Sequence, residues 1–172
     1  MNLILIRHAR AFERDPAAWP DDSRRPLTAT GREQFRVLAK RLGRAVREVE
    51  IVESSGFVRA WQTAQVLAEE TKWPSPSRFE GLEGEADDAT IEALVRSVAA
   101  MRDIGTAVWV GHEPVLSRLA SRLLSGRADG MRIDFKKGAA VALRIPKGAI
   151  EAGGAELLWM FTPRAVARMR KD

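Results

Sequence analysis

Apolar residues in this chain fall into short continuous runs and helical stripes, and the two kinds alternate. Leu3–Ile6 is an unbroken apolar run, the pattern of a strand covered on both faces. A polar stretch, Ala9 to Pro26, follows it. Thr28 is an N-cap candidate, and behind it Phe35, Leu38, Leu42 and Val46 recur at helical spacing. Glu50–Ser54 reads as a second strand. Gly56 marks a turn into a helix with Ala60, Ala64, Leu67 and Ala68 along one side. Pro74 and Pro76 break that pattern before a short extended piece, Ser77–Phe79. Gly81 to Asp88 is acidic and loop-like, and Thr90–Arg102 is a helix carrying Ile91, Leu94, Val95 and Val98. Thr106–Val110 is the third clear strand. Gly111 and Pro114 then bracket a turn into a helix with Leu116, Leu119, Ala120 and Leu123. Ala139–Ile145 and Ala155–Phe161 form a hairpin through Pro146–Gly154 at the sheet edge. The basic tail Arg164–Lys171 reads as a solvated end.

Strands and helices in alternation predict an α/β fold. The expected architecture is a three-layer α/β/α domain with a mainly parallel central sheet and an antiparallel edge strand. At 172 residues, a single domain over residues 1–172 is expected, with no repeat or linker. The first apolar run is too short for a signal peptide or a membrane span, so a soluble, cytoplasmic protein is expected. There is no cysteine, hence no disulfide framework and no thiolate chemistry. The net charge of +5 points to anionic partners. Nucleic acid is the less favoured of these: there is no tyrosine, and the five tryptophans are scattered rather than interleaved with basic residues.

Sites in open α/β sheets form beyond the carboxyl ends of the strands. Arg7 and His8 stand there after the first strand, Ser55 to Thr63 with Arg59 after the second, and Gly111-His112-Glu113 after the third. Taken singly, each residue has a plain structural explanation, and Arg59 would be a surface residue on the first turn of a helix. Together they describe a chemistry. Guanidinium groups are planar bidentate donors for phosphoryl oxygens. Imidazoles can act as nucleophile and as proton donor or charge stabiliser. Arginines beside a histidine oppose its protonation and leave a ring nitrogen free to attack. Two histidines near Glu113 could also be read as a metal site. The arginines would repel a divalent cation, however, and no zinc-type spacing is present, so no metal and no organic cofactor is expected.

Arg7-His8-Ala9, the segment Ser55-Gly-Phe-Val-Arg59-Ala60-Trp-Gln62-Thr63, and Gly111-His112-Glu-Pro114 occur in order, each after a strand. They resemble the three signatures of the histidine phosphatase superfamily, whose fold is phosphoglycerate mutase-like. The small size and Ser23-Arg-Arg25-Pro26-Leu27-Thr28 resemble its SixA-type phosphohistidine phosphatase branch. The resemblance implies His8 as nucleophile, with Arg7, Arg59 and His112 around the phosphate. It adds the arginine before Pro-Leu-Thr as a further phosphate contact, Arg25, with Arg24 as the competing candidate.

Two positions depart from the family pattern. Ala9 replaces the usual glycine, a strained choice if that position has positive φ. Gly81 stands where a general-acid glutamate aligns, leaving Glu80 and Glu83 as the nearby acid candidates. An imidazole leaves a P–N bond more readily than an alkoxide leaves phosphorus. A missing acid therefore favours phosphohistidine as substrate. The implied partner is a phosphohistidine-bearing protein of the histidine phosphotransfer or phosphocarrier type, with inorganic phosphate as product. A small phosphoester substrate and a non-catalytic phosphoprotein-binding module are the alternatives, and a monomer is expected.

Overall fold

The first strand, β1 (Asn2–Arg7), lies inside the sheet, which is why four successive residues, Leu3 to Ile6, are apolar and at most 1% exposed. The other strands are β2 (Ile51–Ser54), β3 (Ser77–Arg78), β4 (Thr106–Gly111), β5 (Ala140–Arg144) and β6 (Glu156–Phe161). In this computed structural model, which describes residues 1–146 and 153–169, they form one sheet in the order β3-β2-β4-β1-β5-β6. The β3-β2-β4-β1 pairs are parallel. The reversed strand is β5, one place in from the edge. It runs antiparallel to both β1 and β6, so the edge strand β6 again points the same way as β1.

Among the described residues, five helices cover the sheet: α1 (Ala29–Ala45), α2 (Val58–Glu70), α3 (Asp88–Ala100), α4 (Val115–Ser125) and α5 (Pro163–Arg168). Side-chain alternation along β1 sorts them into layers. Ile4 and Ile6 pack with Phe35, Leu38, Ala64, Leu67 and Val166 from α1, α2 and α5. Leu3 and Leu5 pack with Leu94, Val98, Leu116 and Leu119 from α3 and α4. This is the three-layer arrangement read from the sequence.

Local differences from the sequence reading have local causes. The polar stretch before Pro26 contains a short 3-10 helix, Asp22–Arg24, capped by the Asp21 carboxylate accepting from Ser23 N–H. A second 3-10 turn, Glu80–Leu82, lies in the supposed loop and buries Leu82 completely. Helix α3 starts at Asp88 because the Asp87 side chain caps it through Thr90 N–H, 2.7 Å away. The acidic composition there had concealed a helix start. Most of the Pro146–Gly154 connector, and the tail beyond Met169, lie outside the described residues. Among the described residues, no helix is long and apolar enough to cross a membrane.

The carboxyl ends of the three strands that matter lie side by side. Arg7 is level with Gly111, and Ser54 with Val110. The residues that follow each strand therefore meet at one rim.

Candidate active site

His8 follows β1 directly and is 5% exposed. Its Nδ1 lies 2.7 Å from the Ala9 carbonyl oxygen. A carbonyl can only accept, so Nδ1 carries the hydrogen and Nε2 keeps a lone pair. Burial first, then repulsion from His112 when that ring is protonated and from Arg59 and Arg7, push the His8 pKa down to about 3, against the Ala9 hydrogen bond. The imidazole is neutral at physiological pH. Ala9 donates its N–H to Thr63 Oγ1 at 3.0 Å, and Thr63 donates to the Arg59 carbonyl at 2.7 Å. The two-bond bridge ties the nucleophile candidate's loop to α2. No non-glycine residue described has positive φ, so alanine at position 9 is unstrained.

His112 follows β4, with its ring centroid 5.2 Å from that of His8. Its Nε2 is 2.9 Å from Ser55 Oγ, which also accepts from Phe57 N–H at 3.2 Å. The Ser55 hydroxyl is then free to donate its hydrogen to Nε2. With that donation the His112 hydrogen sits on Nδ1, which is buried and has no hydrogen-bond partner among the described residues. Burial, reinforced by Arg59 and Arg7, lowers this pKa as well to about 3.

Three arginines surround the pair. Arg7 donates from Nη1 to the Phe135 carbonyl at 2.7 Å, while its Nε is buried and has no partner among the described residues. Arg59, far from being a surface residue, is 6% exposed; its guanidinium lies 5.1 Å over the Phe57 ring, and its Nε is also unpartnered. Of the two candidates before Pro26, Arg25 turns inward. It is 9% exposed and donates to the Phe12 carbonyl at 2.6 Å and to Asp22 Oδ1 at 2.8 Å. The Arg24 side chain is 81% exposed and pairs with Asp21.

Neither acid candidate has the environment of a proton donor. Glu83 accepts from Arg78 Nε and Nη2, each at 2.9 Å, and from Gly56 N–H at 2.7 Å. The Arg78 hydrogen bond holds its carboxyl below the ordinary range, so it is ionised and has no proton to give. Its visible work is to brace the turn after Ser55. Glu80 is exposed, on the outer side of its 3-10 turn. At Gly81 a Cβ would sit 2.8 Å from the Phe79 ring, so the aligned glutamate would have to displace that ring.

Three residues escaped the sequence reading. Asp22 places its carboxylate between Arg25 and Arg59. Ser55 orients His112, and Thr63 orients the His8 loop. Ser55 and Thr63 lay within a recognised segment. Nothing marked Asp22 in a polar stretch rich in acids. Among the described residues, no group of three His, Asp or Glu side chains is placed to hold a metal ion. Glu113 instead accepts from Ser117 N–H at 3.0 Å, at the start of α4.

A neutral imidazole with a free lone pair, set among guanidinium groups at the carboxyl edge of a parallel sheet, is equipped for phosphoryl transfer. Residues 3–85 match the family model described as histidine phosphatase superfamily (branch 1). An uncharacterized protein of Picosynechococcus sp. strain PCC 7002 is 31% identical over 94% of this chain and 96% of its own length. The chain belongs to the histidine phosphatase superfamily, a family of phosphatases.

It is also similar to the phosphohistidine phosphatase SixA of Escherichia coli K12, at 24% identity over 95% of this chain and 94% of that protein. The fold matches the tungstate-complexed structure of the protein histidine phosphatase SixA, with a TM-score of 0.80 and 23% identity, covering 96% of this chain and 99% of that one. A putative alpha-ribazole-5'-P phosphatase from Escherichia coli K-12 shares the fold at a TM-score of 0.71 and 20% identity, covering 95% and 97%.

Proposed function

We propose that this phosphatase hydrolyses phosphohistidine on a protein, through a phosphoenzyme formed on His8. The observation that carries the reading is that three of the buried nitrogens without hydrogen-bond partners among the described residues belong to this site: Arg7 Nε, Arg59 Nε and His112 Nδ1. Buried donors are ordinarily paired. Three orphans from three strand ends, beside an imidazole with a free lone pair, are suited to an oxyanion that arrives with the substrate.

In the first step His8 Nε2 attacks phosphorus. The bond to the leaving nitrogen breaks, and its electron pair departs with the substrate ring, which leaves as neutral imidazole because its other nitrogen already carries a proton taken from solvent. In the second step water attacks phosphorus, its proton passes to solvent, and the lone pair returns to Nε2 as inorganic phosphate is released. Arg7, Arg25, Arg59 and His112 hold the equatorial oxygens and compensate their charge. No cofactor takes part in this scheme. Two features favour a protein-borne phosphohistidine of the phosphotransfer or phosphocarrier type. No carboxylate with the environment of a proton donor stands at the Gly81 position, and only residues 79–87, with the one short turn Glu80–Leu82, separate β3 from α3, leaving little chain to close over the site.

The test is to trap the phosphoenzyme and to compare turnover of phosphohistidine with a panel of phosphomonoesters. An acid-labile, alkali-stable label is expected on His8 and is absent in His8→Ala. Much faster turnover of monoesters than of phosphohistidine would assign a small-molecule phosphatase instead, and binding of phosphoprotein with no turnover would assign a recognition module.

A further inference from the structure

The least expected group in this site is an acid. Asp22 sits on the 3-10 turn between β1 and α1, and its carboxylate bridges two phosphate-site arginines. Oδ1 accepts from Arg25 Nε at 2.8 Å, and Oδ2 pairs with Arg59 Nη2 at 3.1 Å. Its main-chain carbonyl takes Arg59 Nη1 at 2.7 Å. The Arg25 hydrogen bond, with Arg59 and Arg14 adding to it, keeps the carboxyl below its ordinary range, so it is an anion. The Asp22 side chain is 32% exposed, against 11% for Arg25 and 8% for Arg59. The carboxylate is therefore the most solvent-exposed of the three side chains.

A negative charge there is unhelpful to a site that only has to bind phosphate. It weakens the field that attracts a dianion, and it opposes departure of a leaving group that acquires negative charge. It does help a leaving group that is positive. The ring of phosphohistidine can take a proton on its second nitrogen while phosphorus occupies the first. It then carries a positive charge before the P–N bond breaks and departs as neutral imidazole. We propose that Asp22 is a specificity-determining residue: its carboxylate aims Arg25 and Arg59 and favours substrates with a cationic leaving group, phosphoramidates of the phosphohistidine type, over phosphomonoesters. The proposal rests on the phosphohistidine reading above. Asp22 donates no proton in this scheme. It raises the fraction of substrate whose ring is already protonated when it binds.

The experiment compares the full-length wild type with Asp22→Asn, which keeps the shape and an oxygen acceptor but loses the charge. kcat/KM is measured for a phosphohistidine peptide and for phenyl phosphate, together with competitive inhibition by inorganic phosphate. The asparagine variant should lose about ten-fold on phosphohistidine relative to phenyl phosphate, the order expected on removing one unit charge from a partly solvated site. Its alkaline limb on phosphohistidine should move to lower pH, and inorganic phosphate should bind more tightly. Asp22→Glu, which restores the charge, should recover the substrate ratio. Equal losses on both substrates with weakened phosphate binding would make Asp22 only a brace for the arginines and overturn the proposal. If the wild type turns over no phosphohistidine, the substrate reading fails. The phosphate-binding arm then still decides whether Asp22 acts by its charge.

Discussion

Removing the Ser55 hydroxyl gives the sharpest test of how His112 is held. The hydroxyl lies 2.9 Å from His112 Nε2, placed to donate to it, and accepts from Phe57 N–H at 3.2 Å; Ser55 is completely buried. Ser55→Ala leaves both partners unsatisfied. A buried polar group left without its partner costs about 1–3 kcal/mol. Part of that cost falls on folding, because the N–H of Phe57, the N-cap residue of α2, loses its acceptor. The rest falls on catalysis, because Nε2 is no longer required to be an acceptor. The His112 hydrogen can then move to Nε2, leaving Nδ1 unable to donate to a phosphoryl oxygen.

If the catalytic share is about 1.5–3 kcal/mol, kcat/KM falls roughly 10- to 150-fold. The assay is steady-state turnover of an aryl phosphate and of a phosphohistidine peptide, with a denaturant melt to account for the folding share. His8 is untouched, so a slowly formed phosphoenzyme should still be trapped in the variant. A kcat/KM within two-fold of wild type on both substrates would refute the assignment of the His112 tautomer to Ser55.

Acid should destabilise the fold through the same histidines. Both have pKa values of about 3 in the folded protein against an ordinary 6.5. Above about pH 6.5 they are neutral in both states and contribute nothing. Below it the unfolded chain takes up protons that the folded chain refuses, so stability falls as pH drops from 6.5 toward 3, by at most ~1.4 kcal/mol per pH unit per histidine. Urea melts at pH 7 and pH 5 should show the loss, and His112→Gln should show less of it; identical pH dependence in both proteins would count against the buried neutral pair. Glu83→Gln keeps an acceptor for Gly56 N–H and loses only the Arg78 ion pair, so turnover should stay within a few-fold of wild type. Loss of all activity would restore Glu83 as an acid. Gly31→Ala would put a Cβ 2.0 Å from the Arg10 carbonyl oxygen and should lower stability by ~1–3 kcal/mol in a thermal or denaturant melt. Phe35→Ala empties a fully buried position under α1 and should cost ~3–5 kcal/mol in the same measurement.

By itself the sequence determined the layers and the strand ends. Apolar runs of Leu3–Ile6 and Thr106–Val110 type have no exposed face, so they require a sheet covered on both sides, and the stripe from Phe35 to Leu42 supplies part of the cover. The same local patterns put Arg7, His8, Arg59 and His112 just beyond three strands, and a parallel sheet carries such positions to one rim. What needed the tertiary structure was everything set by contacts between distant segments. Arg24 and Arg25 are chemically alike neighbours, and only the 3-10 turn at Asp22–Arg24 decides which one faces inward. Glu83 is an acid by composition but a brace in space, because Arg78 and the Gly56 amide converge on it. The hydrogen on His112 is assigned by a hydroxyl 57 positions away, and the charge of Asp22 acquires meaning only between Arg25 and Arg59. Periodicity records which residues are buried. It carries no information on which polar group a buried donor will meet, and in this site those meetings set the protonation states that the chemistry needs.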